Sequence, residues 1–284
     1  MFASALGYAV RHPKRLAAAL MTDPASLLDK LHDSIVQWWE YRDPVHWHRP
    51  DADWEDQLHA WLECPSDDCF QQEFVSVWSD ALSYGRRHGI DVGPASFAGF
   101  NDGDAALGRA LWCLVRRLRP EHVVETGVAH GFTSRFILEA LARNGTGCLH
   151  SIDRPPLDPV LRERIGMAVP SQLRNRWELI AGSSRRRLPK LLSRLGSVGL
   201  FVHDSLHTER NVRFELDQVW PILRPGGVLV IDDIDSNAGY ESFLSTISGY
   251  RALVCEAEPA RPDERRFNRK GLFAIVLKDR ERAR

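Results

Sequence analysis

The sequence predicts an α/β protein: a doubly wound parallel sheet with helices on both faces, preceded by a helical extension. Three observations predict it. From about Asn101 short apolar runs alternate with helical stretches; up to about Gly99 the pattern is helical and tryptophan-rich; and residues 121–134 join an apolar run to a glycine turn and a helix-like pattern. Five apolar runs separated by helices argue for strands buried on both faces, because half-exposed antiparallel strands alternate polar and apolar residues. The chain divides on this reading into an extension, 1–99, and a larger domain, 100–284.

In the extension, Leu27, Leu28, Leu31, Ile35, Trp38 and Trp39 recur at three- and four-residue spacing, as do Trp54, Leu58, Trp61 and Leu62, then Phe70, Phe74, Trp78 and Leu82. Pro44, Pro50 and Pro65 punctuate these helices. The aromatic faces are expected to pack on the main domain or on each other. A sharper reading makes part of the segment a lid or a contact between copies of the chain, giving a homo-oligomer. His46 and His48 could hold a metal, although no third ligand lies near them in sequence.

Beyond Asn101, a helix carrying Leu107, Ala110, Leu111, Leu114, Val115 and Leu118 stops before Pro120. Strands are expected at Val123-Val124, Leu149 to Ile152, Glu178 to Ala181, Leu200 to Val202 and Val228 to Ile231. The helices between them are expected at Phe132 to Arg143, Pro159 to Met167, Arg186 to Leu195 and Thr208 to Leu223. Asn144-Gly145-Thr146 reads as a helix C-cap rather than a glycosylation sequon. After a helix at Tyr240 to Ile247, the runs Ala252 to Cys255 and Leu272 to Leu277 form a terminal antiparallel pair. The charged stretch Pro259 to Lys270 joins them and is expected to be mobile or partner-facing.

The 284 residues suffice for a full core, and a net charge of -1 leaves no electrostatic footprint for nucleic acid or an acidic membrane. The basic clusters Arg185 to Arg187 and Arg265-Arg266 read as solvated faces. No apolar run reaches the roughly 18 residues of a membrane span. Met1 to Val10 precedes its basic cluster, the reverse of a secretory signal, so a cytoplasmic address is expected. Five cysteines without a Cys-x-x-Cys pair indicate neither a disulfide framework nor a zinc site.

Ligands of a doubly wound sheet sit at the carboxyl ends of its strands. The first strand ends in Glu125 and the turn Gly127 to Gly131, the second in Asp153, and the third in Gly182-Ser183-Ser184. A glycine turn admits close backbone approach, an acid there accepts hydrogen bonds from a ribose diol, and small residues suit an adenine edge. Together they describe a nucleoside-bearing ligand. The turn is Glu-Thr-Gly-Val-Ala-His-Gly, not Gly-x-Gly-x-x-Gly. Its acid would repel a phosphate but suits an ammonium or sulfonium group, which favours S-adenosylmethionine over NAD.

The next strand ends are acidic: Asp204 and His207 follow the fourth, Asp232 and Asp233 the fifth. Parallel neighbours lie about 4.8 Å apart, so if these strands adjoin, their carboxylates converge. Like charges at one rim call for a cation, and a divalent ion with oxygen ligands answers: Mg2+, or else manganese or calcium. Consecutive strand residues face opposite ways, so Asp232 and Asp233 both bind only if the chain turns there. His207 has the side chain suited to a general base near neutrality.

Over roughly residues 100 to 280 these features resemble the class I S-adenosylmethionine-dependent methyltransferases. That resemblance implies a Rossmann-like seven-stranded sheet with the last strand antiparallel. It implies that Glu125 and the turn hold the methionine end, that Thr133 meets its carboxylate, and that Asp153 binds ribose. The implied cofactor set is Glu125, Thr126, Gly127, Ala129, Gly131, Thr133, Asp153, Gly182, Ser183 and Asp204. The rim resembles the metal-dependent O-methyltransferases, of the catechol type and, more closely, those acting on sugars of macrolide and aminocoumarin antibiotics. There, residues at the positions of Asp204, Asp232 and Asp233 hold the metal. Catechol enzymes have asparagine where this chain has Asp233 and lysine where it has His207, whereas macrolide-sugar enzymes use histidine as base. The expected reaction is methyl transfer to a hydroxyl of a small molecule, a sugar or another acceptor with vicinal oxygens. The alternatives are a metal-independent methyltransferase in which His207 acts alone and an NAD-binding oxidoreductase.

Overall fold

A computed structural model describes residues 20–21, 24–40, 46–64, 69–97, 100–262 and 270–280. The expectations for Met1 to Val10, Pro44, Pro65 and Arg265-Arg266, most of the charged connection, and the side chains of Trp38 and Phe70 lie outside the described residues.

The central sheet has seven strands: β3 (His122–Thr126), β4 (Cys148–Asp153), β5 (Trp177–Ala181), β6 (Val198–His203), β7 (Leu223–Ile231), β8 (Tyr250–Glu256) and β9 (Leu272–Lys278). Their spatial order is β5-β4-β3-β6-β7-β9-β8. The first five run parallel, and β9 is antiparallel to both neighbours, so the last strand in sequence is the reversed one and lies one place in from the edge. The strand order reverses between β3 and β6, the point at which open α/β sheets form their ligand crevice.

The connecting helices are α4 (Ala105–Leu118), α5 (Phe132–Asn144), α6 (Pro159–Glu163), α7 (Ser184–Leu195), α8 (Glu209–Val219) and α9 (Gly239–Leu244). Gly145 caps α5 in the left-handed region, as the Asn-Gly pair suggested. Three helices are shorter than the apolar spacing implied, α9 by ending at Leu244 rather than Ile247. The chain leaves α6 for a turn at Gly166, where a Cβ would stand 2.3 Å from the Trp177 ring. After α8, a single 3-10 turn at Trp220–Ile222 leads directly into β7; Pro221 lacks the amide that further helix would need.

Before the sheet come α1 (Pro24–Glu40), α2 (Trp54–Trp61) and α3 (Cys69–Arg87), then a short antiparallel hairpin of β1 (Gly93–Phe97) and β2 (Phe100–Asp102). The hairpin corrects the expectation of helix up to Gly99: Gly93-Pro94 breaks any helical period, and strands this short carry too little alternation to announce themselves. The apolar faces of α2 and α3 pack as expected. Trp54 meets Phe273 edge-on at 5.5 Å and Phe74 meets Phe136 at 5.4 Å, in one core with Trp112, Val123 and Leu149. The opposite face holds a second core, in which Leu188, Leu192, Leu216 and Phe243 cover Val124, Phe201 and Ile231. With the sheet buried on both sides, large-to-small changes such as Phe74→Ala or Phe201→Ala are expected to cost about 3–5 kcal/mol.

Candidate active site

Four strands hand over to their loops along one line. Gly127 N donates to Ile152 O (2.9 Å), Gly182 N to Asp153 O (2.8 Å), Asp204 N to Thr126 O (2.9 Å), and Asp232 N to His203 O (2.9 Å). Each residue leaving a strand is thus tied to its neighbour's end, which fixes the loops side by side at one rim. Gly127 (φ 86°) runs so close to the next loop that a Cβ would lie 1.8 Å from Asp204 O. The turn is pinned on its other sides as well. Asp153 Oδ2 accepts from Val128 N and Ala129 N (2.8 and 3.1 Å), and Ala129 O and His130 O accept from the amides of Gly166 and Ala168.

Glu125 is fully buried beneath the turn. Its Oε2 accepts from the hydroxyls of Ser134 and Ser151, 2.6 Å each, while Oε1 is buried without a hydrogen-bond partner. Burial, with the Asp153 charge adding to it, pushes this carboxyl up to about 7, because the two hydroxyl donors only partly offset the loss of water. Burial likewise raises Asp153, against the two amide bonds. A buried acid with an unmet oxygen, beside a glycine whose position admits no side chain, suits the cationic methionine end of S-adenosylmethionine.

The structure places the other expected cofactor residues unevenly. Thr126 turns to the opposite face and donates to Glu215 Oε2 (2.6 Å), so its hydroxyl is engaged there. Ser183 donates to Asp29 of α1 (2.7 Å), and Gly182 (φ 139°) packs against Arg187. Thr133 is half-buried in the first turn of α5. No sequence signal marked α1 as the element that would cover Ser183.

At the rim, β6 and β7 are neighbours, as convergence required. One potential ligand atom each from Asp204, His207 and Asp232 lies within 4.8 Å of the others. Asp233 has φ 54°, so the chain does turn there. Its carboxylate, however, faces His207 Nδ1 at 3.3 Å, while His207 Nε2 lies 3.7 Å from Asp204 Oδ1. The compact set among the described residues is thus Asp204, His207 and Asp232, with Asp233 on the Nδ1 side of the imidazole and its charge still acting on Asp204. Burial and the charges of Asp233, Glu125 and Asp102 raise Asp204 well above the carboxylate range, and its hydrogen bond with Asp232 opposes them. A divalent ion among these oxygens would relieve that crowding.

His46 and His48 stand apart from this group. His48 packs edge-on to Tyr240 at 5.3 Å, with Nδ1 3.7 Å from Glu241, and no ligand trio among the described residues includes either histidine. Two further acids were not singled out from the sequence. Asp102, at the end of β2, binds His130 Nδ1 (2.9 Å) and its amide (3.3 Å), and both side chains are buried. Asp104 caps α4 through the amides of Ala106 and Leu107, and burial, followed by repulsion from Asp233, pushes it up to about 6. An aspartate just before an apolar helical period is an N-cap signal that could have found Asp104. Asp102 carries no such signal, because its neighbour in space is 28 residues away in the chain.

Residues 124–234 match a family described as a methyltransferase domain. That segment is similar to methyltransferase domains. Among solved structures, a candidate O-methyltransferase from Klebsiella pneumoniae aligns over 79% of this chain and 95% of its own, with a TM-score of 0.52 and 16% identity. The O-methyltransferase TomG from Streptomyces achromogenes, involved in tomaymycin synthesis and solved in complex with S-adenosylmethionine, aligns over 71% of this chain and 89% of its own, with a TM-score of 0.50 and 18% identity. At these identities the likeness is one of fold. No curated protein matches the chain in sequence. The matched span includes the glycine turn, Asp153, Asp204, His207, Asp232 and Asp233; Asp102 and Asp104 fall outside it. No described helix is long and apolar enough to cross a membrane.

Proposed function

We propose that this methyltransferase moves the methyl group of S-adenosylmethionine to a hydroxyl of a small molecule bearing vicinal oxygens, a sugar or a similar acceptor, with a divalent ion such as Mg2+ at the rim. The observation that carries the reading is the compact set of Asp204, His207 and Asp232 beside the glycine turn. Glu125 would face the cationic end of the cofactor, with the amides of the turn beside it and Asp153 toward the ribose. Asp204 and Asp232 would hold the ion, which when bound lowers the pKa of a coordinated hydroxyl.

The remaining steps belong to the chain. Asp233 accepts the Nδ1 proton of His207, which leaves Nε2 to take the proton of the acceptor hydroxyl, and the resulting imidazolium lies between two carboxylates. The turn and the β6 loop fix the directions of approach, and such positioning supplies much of the rate of an in-line transfer. The turn lacks the glycine spacing of an NAD site, and its buried acid disfavours a pyrophosphate. A metal-independent variant is favoured by one observation, that Asp233 stands 3.3 Å from His207 Nδ1, where it can orient the imidazole as a base without an ion. Turnover assayed with and without EDTA separates the two: loss of activity restored by Mg2+ or Mn2+ supports the metal reading, and full activity in EDTA rejects it. We further place the enzyme in the cytoplasm, where a cysteine such as Cys148 stays outside any disulfide, and assign α1 to a contact between copies of the chain.

A further inference from the structure

The two ends of α1 are fastened to opposite sides of the crevice. Near its start, Asp29 Oδ2 accepts from Ser183 Oγ and Arg186 Nε, 2.7 Å each, which ties the helix to the segment after β5. Lys30 Nζ donates to Pro155 O (2.5 Å) and Asp33 pairs with Arg154, both partners lying just beyond β4. At the far end, Glu40 accepts from the amides of Glu209 (2.5 Å) and Arg210 (3.4 Å), close after His207. These are donors that α8 leaves open at its start, and a carboxylate there also meets the positive end of the helix dipole.

The lengths agree with a crossing. From Asp29 to Glu40 the helix rises about 16 Å at ~1.5 Å per residue. The ends of β5 and β6 lie three places apart in the sheet, about 14 Å at ~4.8 Å per strand. Between them stand the ends of β4 and β3, which carry Asp153 and the glycine turn. The anchoring side of α1 is polar, whereas Leu28, Leu31, Ile35 and Trp39 are left exposed. A helix that served only to cover a core would bury that stripe; a polar side turned to the crevice suits a polar occupant. Lys30 and Arg154 also bring positive charge to Asp153, against the burial that raises it.

We propose that α1 is a strap over the occupied crevice, fastened by Asp29 and Asp33 at the adenosine end and by Glu40 at the acceptor end, and that S-adenosylmethionine enters and leaves only when one end lets go. The inference rests on the cofactor reading above. With both ends fastened, the strap keeps water from the sulfonium and holds the cofactor against the turn. Its fastenings suit repeated opening: Arg186 is 52% exposed in its pair with Asp29, and such pairs are individually weak. Opening precedes both entry and exit, so loosening the strap speeds both by a similar factor and leaves affinity nearly unchanged. A side chain that bound the cofactor itself would act mainly on the exit rate.

S-adenosylhomocysteine, which keeps the nucleoside and the amino-acid end without the transferable methyl, is the probe. Its entry into and exit from the full chain are followed by stopped-flow tryptophan fluorescence, and its affinity by calorimetry. Asp29→Ala and Glu40→Ala, at opposite ends of the strap, should each raise both rates about tenfold and change the dissociation constant by less than about threefold. Asp29→Arg should do the same, and Asp29→Arg/Arg186→Asp, which restores the pair with its charges exchanged, should slow both rates again. Unchanged rates in both alanine variants overturn the strap while the cofactor reading stands. A faster exit with unchanged entry overturns it too, since Asp29 or Glu40 would then hold the ligand directly. If the natural chain takes up no S-adenosylhomocysteine, the cofactor reading fails and the strap falls with it.

Discussion

The imidazole of His207 lies between two carboxylates, with Nδ1 3.3 Å from Asp233 and Nε2 3.7 Å from Asp204. Asp233 can reach it only because the chain adopts φ 54° there, a conformation that a non-glycine residue holds at a cost. If His207 is the base, His207→Gln should lower kcat by about 10²–10⁴ and leave S-adenosylmethionine affinity, read by calorimetry, essentially unchanged. Asp233→Asn should lower kcat less, since it removes only the partner that orients the ring. A His207→Gln enzyme with near-normal kcat would rule out the base.

Asp204→Ala and Asp232→Ala should each abolish turnover while retaining cofactor binding. The two positions are tested separately because Asp204 is the more crowded, facing Asp233, Glu125 and Asp102. Mg2+ binding by calorimetry should disappear in both variants. If either variant turns over normally in EDTA, the rim carboxylates have no metal role.

Two buried glutamates flank the end of β3, and they titrate in opposite directions. Glu125 has two hydroxyl donors, and burial raises it from 4.5 to about 7. Glu215 accepts from Thr126, Ser205 and Asn211 and pairs with His203 at 2.7 Å; this imidazole charge, with the hydrogen bonds, overcomes burial and lowers it to about 2. A raised acid stabilises the fold below its unfolded pKa and loses that contribution as pH rises through its folded value. The ligand-free chain should therefore lose up to about 3 kcal/mol between pH 4.5 and 7 on account of Glu125. Glu125→Gln should flatten that window in denaturant titrations, at the expense of cofactor affinity. Glu215 contributes above pH 4.5 and loses its contribution as pH falls through about 2. Glu215→Ala should cost about 3–5 kcal/mol near neutrality. An unchanged pH dependence in Glu125→Gln would show that this carboxyl is charged in the folded chain.

The strands and the rim were legible because buried parallel strands are written as apolar runs, and the residue that ends each run must face the crevice. Asp153, Asp204 and Asp232 could be placed from that rule alone. What could not be read depended on partners distant in sequence. Thr126 turns away because Glu215 waits on the other face, Asp233 faces the imidazole of His207, and Asp102 joins the rim through His130. The β1–β2 hairpin escaped because its strands have five and three residues, too few for period to separate strand from loop.

Gly127 tests the geometry of the turn rather than its chemistry. A Cβ there would overlap Asp204 O at 1.8 Å, and φ 86° is strained for any other residue. Gly127→Ala should displace the β6 loop and with it Asp204, so cofactor affinity and metal affinity should fall together. Loss of one without the other would mean that the two loops are not mechanically joined.

Helix α1 inverts the usual amphipathic arrangement. Its polar residues face the sheet domain: Asp29 binds Ser183 and Arg186, Asp33 binds Arg154, Lys30 donates to Pro155 O, and Glu40 accepts from Glu209 N. Leu27 is buried, but Leu28, Leu31, Ile35 and Trp39 are 61, 40, 58 and 62% exposed. Such a stripe at three- and four-residue spacing suits a two-fold pairing with the same helix of a second copy. Full burial of a large apolar side chain contributes about 1.5–3 kcal/mol, so eight half-exposed side chains supply roughly 6–12 kcal/mol against an association cost of about 4–15 kcal/mol. The balance predicts a dimer that dissociates on dilution rather than a permanent one. Light scattering should show a concentration-dependent mass for the natural chain and a monomer for Leu28→Glu/Ile35→Glu, with the α1 ion pairs and methyl transfer preserved in the monomer. A natural chain that stays monomeric at every accessible concentration would leave α1 without this role.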